Sequence, residues 1–156
     1  MKKIITAAVV FAAFAFLTIS CNTVNNFAGA VGKEWKLLEV HVERTPFNKR
    51  VIYDRNALRR ENVGHIYTFT FDNEQISGTG APNSFNAPYT LGEKQAISIM
   101  PIISTQMAPI IQPEKLQEHV FYGYLQNAYE WKIVSKRLEL ISKTENGEPV
   151  RLIFGL

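Results

Sequence analysis

From Glu34 onward the chain is written largely in alternation. In Glu34 to Glu43, Trp35 and Leu37 share one side, and then Leu38, Val40 and Val42 share the other. A period of two predicts a strand, and a change of face inside it predicts a bulge or a change of partner. His65 to Phe71 carries the strongest alternation, with Tyr67, Phe69 and Phe71 opposite Ile66, Thr68 and Thr70. Asp72-Asn73 then turns, and Glu74 to Gly78 returns. Phe85, Ala87, Tyr89 and Leu91 share a face, and Gly92-Glu93-Lys94 turns into Ala96 to Met100. Near the end, Tyr129, Trp131 and Ile133 alternate, then Leu138 and Leu140, then Val150, Leu152 and Phe154 after a turn at Glu145-Asn146-Gly147. One segment breaks the period. Leu116, Val120, Phe121, Tyr124, Leu125 and Ala128 fall at helical spacing, and Pro113-Glu114 suits a first helical turn. The pattern predicts a mainly β (α+β) domain over residues 34–156, with one amphipathic helix laid on a curved sheet.

Two stretches interrupt the alternation and organise it. Ser77 to Leu91 holds Gly78, Gly80, Pro82, Asn83, Asn86 and Pro88, and Ser98 to Pro109 follows. Glycine reaches positive φ and proline fixes φ without a donor, so Gly80 to Pro88 reads as a turn or chain crossing between strands. Arg44 to Arg60 is a third interruption. It carries Arg44, Lys49, Arg50, Arg55, Arg59 and Arg60 against Asp54 alone. Val51 to Tyr53 reads as a short strand, and Asp54 as the cap of a short helix through Leu58 to Glu61. The segment reads either as a basic surface, of Lys49, Arg50, Arg55, Arg59 and Arg60, facing headgroups, cell-wall polymers or an acidic partner, or as a solvated insertion.

The amino terminus obeys other rules. Met1-Lys2-Lys3 is followed by an uncharged apolar run, Ile4 to Leu17, about 14 residues long. That length suits a secretory signal and falls short of the roughly 20 residues of a spanning helix. Cys21 is the single cysteine of the chain, and Leu17-Thr18-Ile19-Ser20-Cys21 resembles a bacterial lipobox, with Leu17 one place further from the cysteine than usual. The resemblance implies cleavage between Ser20 and Cys21, residues 1–20 being the signal, and a diacylglycerol on Cys21. Several acyl chains make a lasting anchor, at about 0.8 kcal/mol per buried methylene. The expected localisation is the cell envelope, on the periplasmic or outer side of a bacterial membrane. Residues 21–33, small and rich in asparagine, read as the lipidated cysteine and its tether.

Charge and cysteine count then narrow the chemistry. Of the 17 basic residues two leave with the signal, so the formal charge of +3 falls to about +1, which gives no reason to expect nucleic acid. A lipidated Cys21 leaves no thiol for a disulfide, a nucleophile or zinc. His41, His65 and His119 sit on separate predicted elements without metal-ligand spacing. Gly78-Thr79-Gly80 lacks the lysine of a phosphate loop, and neither Ser77 nor Ser84 sits in a nucleophile elbow. Glu114 and Glu118, one helical turn apart, read as a solvated face. Asn83 reads as holding the crossing through backbone bonds, or else as the polar group of a small pocket beside Pro82. No catalysis, metal or cofactor is expected.

The order of these pieces resembles the META domain family, the HslJ-like small lipoproteins of bacterial envelopes (DUF306), over nearly all of Trp35 to Phe154. Trp35-Lys36-Leu37, Phe69-Thr70-Phe71 and Ser77-Gly78 carry the likeness, followed by Asn83, Phe85 and Tyr89. Ser104-Thr105-Gln106-Met107-Ala108 is similar to the family's Ser-Thr-x-Met-Ala segment, Glu118, Phe121 and Leu125 to its helix, and Leu138-Glu139-Leu140 and Leu152-Ile153-Phe154 to its last strands. Gly78, Asn83, Phe85, Tyr89, Thr105 and Met107 are thereby marked as structural or ligand-loop positions. The chain departs from the family pattern at two cysteine positions, where it has Pro82 and Pro109. The resemblance implies a strongly bent antiparallel sheet or half-barrel with one helix, and an association with envelope stress tolerance. The function expected is a non-catalytic, lipid-anchored module for an envelope protein or cell-wall component. An inhibitor of an envelope-directed hydrolase, of the lysozyme-inhibitor kind, is the alternative.

Overall fold

A computed structural model describes residues 27–45, 48–58, 65–108 and 112–156. Ser20 and Cys21, and with them the lipobox, lie outside the described residues, as do Arg59 and Arg60. The strands are β1 (Glu34–Thr45), β2 (Asn48–Asp54), β3 (Thr68–Asp72), β4 (Gln75–Thr79), β5 (Ser84–Leu91), β6 (Ile97–Ile99), β7 (Ile103–Ser104), β8 (Glu130–Val134), β9 (Arg137–Lys143) and β10 (Pro149–Gly155). Two helices interrupt them, α1 (Arg55–Leu58) and α2 (Glu118–Gln126).

All ten strands join one sheet in the order β6-β5-β4-β3-β1-β10-β9-β8, with β2 also on β1 and β7 also on β5. Every pairing is antiparallel. The two ends of that order nearly meet. A bridge between Ala96 and Glu130 and the bond from Ile97 N to Tyr129 O bring β6 to the start of β8. The sheet is therefore a half-barrel close to closure, as the pattern and the resemblance predict.

The change of face in β1 is a bulge. Register with β10 shifts between Leu37 and Glu39, so the extra residue, Leu38, resets the phase. Trp35, Leu37, Val40 and Val42 consequently all face the core. Aromatic rings fill it edge to face, with Phe69 against Phe71 at 5.0 Å and against Phe154 at 4.8 Å. From α2, Phe121 and Leu125 close it on the helix side.

Four boundaries differ from the sequence reading. The crossing expected over Gly80 to Pro88 is only Gly80 to Asn83, because β5 already begins at Ser84. Pro88 lies inside that strand, exposed, its carbonyl accepting from Met100 N at 2.9 Å. Its missing donor points to the same side, where the neighbour of β5 changes from β7 to β6 at Pro101, so no ladder bond is lost. Second, the strand foreseen from His65 starts at Thr68, since Tyr67 takes φ 53°. Third, the helix foreseen from Pro113 starts at Glu118. The Leu116 carbonyl, which would serve the first turn, accepts the Tyr67 hydroxyl instead.

The fourth concerns the tether. Phe27–Gly29 forms a 3-10 turn, and Phe27 and Ala30 are buried. Phe27 packs edge to face on Phe71 at 4.8 Å and on Trp131 at 4.9 Å, and the Trp35 indole donates to the Ala30 carbonyl at 2.9 Å. Residues 27–33 thus belong to the domain, where they close one end of the half-barrel. One aromatic among asparagines and glycines is a weak pattern but a large burial. Phe27→Ala is expected to cost about 3 kcal/mol, read from the midpoint of urea unfolding.

Candidate functional site

The polar centre of the molecule is Glu118. It opens α2, yet only 9% of it is exposed, and its carboxylate points into the Gly80 to Asn83 turn. Its Oε1 accepts from Ala81 N at 2.5 Å and Asn83 N at 2.8 Å, and its Oε2 accepts from Asn83 Nδ2 at 2.7 Å. Tyr122, one turn further on, donates its hydroxyl to the Asn83 carbonyl at 3.3 Å, beside the same carboxylate. Three donors converge on one group, and a carboxylate is the side chain whose two oxygens can accept them all. The expectation of a solvated face at Glu118 is corrected here. The turn has two buried N–H groups with no strand partner, and Glu118 supplies the acceptor.

Asn83 carries the network onward. Its Oδ1 accepts from Thr105 Oγ1 at 2.9 Å and Met107 N at 2.7 Å, and its Nδ2 also donates to Met107 O at 3.3 Å. One amide therefore ties the β4–β5 turn to the segment after β7 and to α2. Gln112 closes the circuit, donating to Ala81 O at 2.7 Å while its Oε1 accepts from Glu118 N at 3.4 Å. The Ala81-Pro82 peptide is cis. Gly80 lets the helix come this near, because a Cβ there would fall on Tyr122 Oη and Glu118 Oε1.

The six positions marked by the resemblance thus divide. Asn83, Thr105 and Met107 meet in the network. Phe85 lies beneath it, against Tyr122 at 5.2 Å, and Gly78 pairs with Phe85 across β4 and β5. Tyr89 sits at the opposite end, packed on Phe71 and Phe27. Glu118, Gln112 and Tyr122 are the site residues that reasoning from chemistry missed. Glu118 lies three and seven residues before Phe121 and Leu125, on the buried face of the helix, and it was its charge that suggested solvent.

The basic segment does not form one surface. Lys49 and Arg50 are exposed on β2. Arg55 is 7% exposed and belongs to the interior, which corrects its assignment to the surface. Its Nε donates to Leu37 O at 2.5 Å, and its Nη2 donates to Ile66 O at 2.5 Å and Tyr67 O at 3.5 Å. These carbonyls border the bulge and the turn before β3, and the guanidinium satisfies them. Asp54 caps α1 as expected, its Oδ1 accepting from Asn56 N at 2.8 Å.

Hollows open at several places on the surface of the described residues. One of 350 Å³ lies between α2 and the β9–β10 hairpin, lined by His119, Tyr124, Asn127 and Lys143 among others. A second, of 360 Å³, runs over β4, β5 and β7 past Ser77, Asn86 and Ile103. A third, of 270 Å³, lies between β2 and Pro113 to Lys115. Among the described residues no three His, Cys, Asp or Glu side chains are grouped to hold a metal ion. His41 is buried in β1 beside Glu39, its Nε2 2.5 Å from Glu39 Oε2, while His65 and His119 are exposed elsewhere.

Two buried tyrosines, Tyr53 and Tyr67, and the half-buried Tyr122 lie around the site. Burial pushes the Tyr53 hydroxyl up to about 12, an effect that the nearby Arg55 opposes and Asp54 assists. Burial also raises Tyr67, and it raises Tyr122 with the help of the nearby Glu118 carboxylate. Each phenol binds its proton more firmly folded than unfolded. Their contribution is complete below pH 10 and is lost as pH rises through the folded values, so stability is expected to fall steeply above about pH 10. Tyr53 alone accounts for on the order of 2–3 kcal/mol across pH 10 to 12. Circular dichroism of alkaline unfolding, compared with a Tyr53→Phe variant, checks this.

Residues 30–153 match the META domain. The chain belongs to the META domain family. Two solved structures share the architecture of this META domain. A DUF4847 family protein from Bacteroides vulgatus aligns at a TM-score of 0.56 and 14% identity, over 83% of this chain and 95% of its own. A protein from Burkholderia xenovorans aligns at a TM-score of 0.56 and 15% identity, over 81% and 83%. At such identities the likeness concerns fold alone. No curated protein matches the sequence.

Proposed function

We propose that this META domain is a non-catalytic binding or stress-tolerance module held in the bacterial envelope by a lipid on Cys21. The observation that carries the reading is the engagement of Asn83 and Glu118. Their polar atoms fasten three chain segments to one another, so the motif residues shape a surface and are not presented as reagents. The lipobox-like Leu17 to Cys21 supports the anchor. The surface so shaped includes Met107, whose backbone Asn83 holds at both N–H and carbonyl while its side chain stays exposed.

That last feature favours a second reading, inhibition of an envelope-directed hydrolase. Ile103 and Met107 stand exposed on a short, firmly bonded segment, which suits insertion into a cleft. It is this segment, and not residues 84–91 in the sheet, that would do so. The test is crosslinking in intact cells from a photoreactive residue at position 107, with a second at Lys49 as a distant control. One stoichiometric protein partner captured from 107 alone supports a binding module, and hydrolase activity in that partner selects the inhibitor reading. Equal, unsaturable capture at both positions counts against both.

A further inference from the structure

We infer that the end of the half-barrel closed by Phe27 is the face this domain lays on the lipid bilayer, with Val31, Leu91 and Val134 reaching the headgroup region. The inference rests on the lipid anchor proposed for Cys21 and adds which side of the domain it pulls down.

The first argument is reach. Because residues 27–33 are packed, the link from Cys21 to the folded domain is Asn22 to Asn26, not the longer segment to Lys33. Six steps of chain cover at most about 20 Å extended, and roughly 12–15 Å as a flexible coil. The Phe27 end therefore stays within a headgroup layer's distance of the membrane. β1 runs away from that end, and Lys49 and Arg50 pair with Glu43 and Val42 near its far terminus. Eight or nine residues of strand separate them from Glu34, roughly 25–30 Å. That exceeds the Debye length of about 8 Å several times over, so these cations are poorly placed to feel anionic headgroups.

The second argument is the surface itself. At the Phe27 end, exposed apolar side chains sit where elements finish. Val31, 37% exposed, bridges to Phe71; Leu91, 45% exposed, ends β5; Val134, 48% exposed, ends β8. Lys33, Lys94, Lys136 and Arg137 flank them, against Asp72, Glu74 and Glu93, all exposed. Four cations to three anions is nearly neutral, so contact comes from the apolar residues and the short link, while long basic side chains reach past them to phosphate. The outer sheet face suits lipid less, since Glu43, Arg151 and Glu139 form ion pairs across it. The Asn83–Glu118 network, Met107 and the cleft beside the β9–β10 hairpin all lie at the far end, turned away from the bilayer.

The experiment uses the acylated full-length mature chain in vesicles of phosphatidylcholine, with and without phosphatidylglycerol. Lipid occupies the sulfur of Cys21, so an introduced cysteine is the single labelling site. A fluorophore is placed at Leu91→Cys or Val134→Cys, and at Lys49→Cys or Asn146→Cys for the far end; all four positions are exposed. Quenching by nitroxide on lipid headgroups is expected to be several-fold stronger at 91 and 134 than at 49 and 146, in both vesicle types. Even quenching at all four, or stronger quenching at 49, overturns the inference while leaving the anchor intact. A purified chain whose mass shows no acyl groups overturns the anchor and the docking face together.

Discussion

Gly78→Ala is expected to be among the most destabilising single substitutions in this domain. A methyl group on Gly78 would meet Phe69 Cβ at 2.7 Å and Phe69 Cα at 2.8 Å, with the Thr68 carbonyl oxygen closer still. Two of these are backbone atoms of β3, the strand paired with β4, and they cannot turn aside as a side chain would. The reason for glycine here is close approach, since its φ is not positive. Overpacking a core that can adjust costs about 1–3 kcal/mol. Here β3 and β4 must part between Thr68 and Phe71, in the middle of the aromatic cluster, so a loss above about 4 kcal/mol is expected. Domains of this size have about 5–15 kcal/mol in total. Urea unfolding followed by tryptophan fluorescence measures it, and a variant within about 1 kcal/mol of the parent would show that the strands separate easily.

Glu118→Gln is expected to cost about 2–4 kcal/mol although it alters hardly any volume. The carboxylate accepts from both Ala81 N and Asn83 N through one oxygen and from Asn83 Nδ2 through the other. Glutamine keeps one acceptor and turns the other position into a donor that faces Asn83 Nδ2. Rotating the Asn83 amide would relieve that clash, but it would set Nδ2 against Met107 N, which is also a donor. One buried donor is therefore left without an acceptor whichever way the amides turn, and such a group costs about 1–3 kcal/mol, more where charge was involved. Glu118→Ala should cost more than glutamine. Asn83→Ala should couple strongly with either, and a double-mutant cycle giving no interaction energy would mean that the two residues act separately. Amide exchange at Met107 offers an independent reading, because its N–H is held only through Asn83 in this network.

What could be read from the chain beforehand follows from how locally each feature is encoded. Burial of every second side chain is local, so β3, β5 and the late strands were legible, and the shift of phase at Leu38 even announced the bulge in β1. Boundaries set by partners distant in sequence were not legible. The Leu116 carbonyl answers to Tyr67, 49 residues away, and that bond shortens the helix. Arg55 lies in a run of cations, so its charge suggested solvent. Its true partners are carbonyls orphaned by a bulge and a turn, which no spacing reveals. Of the site, Asn83, Thr105 and Met107 could be marked only through resemblance. Glu118 shares the helix face of Phe121 and Leu125, but its charge argued for solvent, because the donors that satisfy it come from a turn 35 residues earlier.

The near-closure of the sheet has a consequence for life at high density. Copies held in a membrane plane, as the proposed anchor would hold them, meet far more often than copies free in solution, and an open row of strand amides invites them to zip together. The bridge from Ala96 to Glu130 and the bond from Ile97 N to Tyr129 O close that row only where β6 meets the start of β8. Among the described residues, open edges remain on β8 beyond Glu130, on the short β6, on β7, preceded by Pro101, and on β2, which begins with Asn48, Lys49 and Arg50. Short strands, proline and exposed cations are the features that discourage such pairing. Lys49 and Arg50, two of the residues that first suggested a partner surface, thereby also work against edge-to-edge pairing of copies along β2.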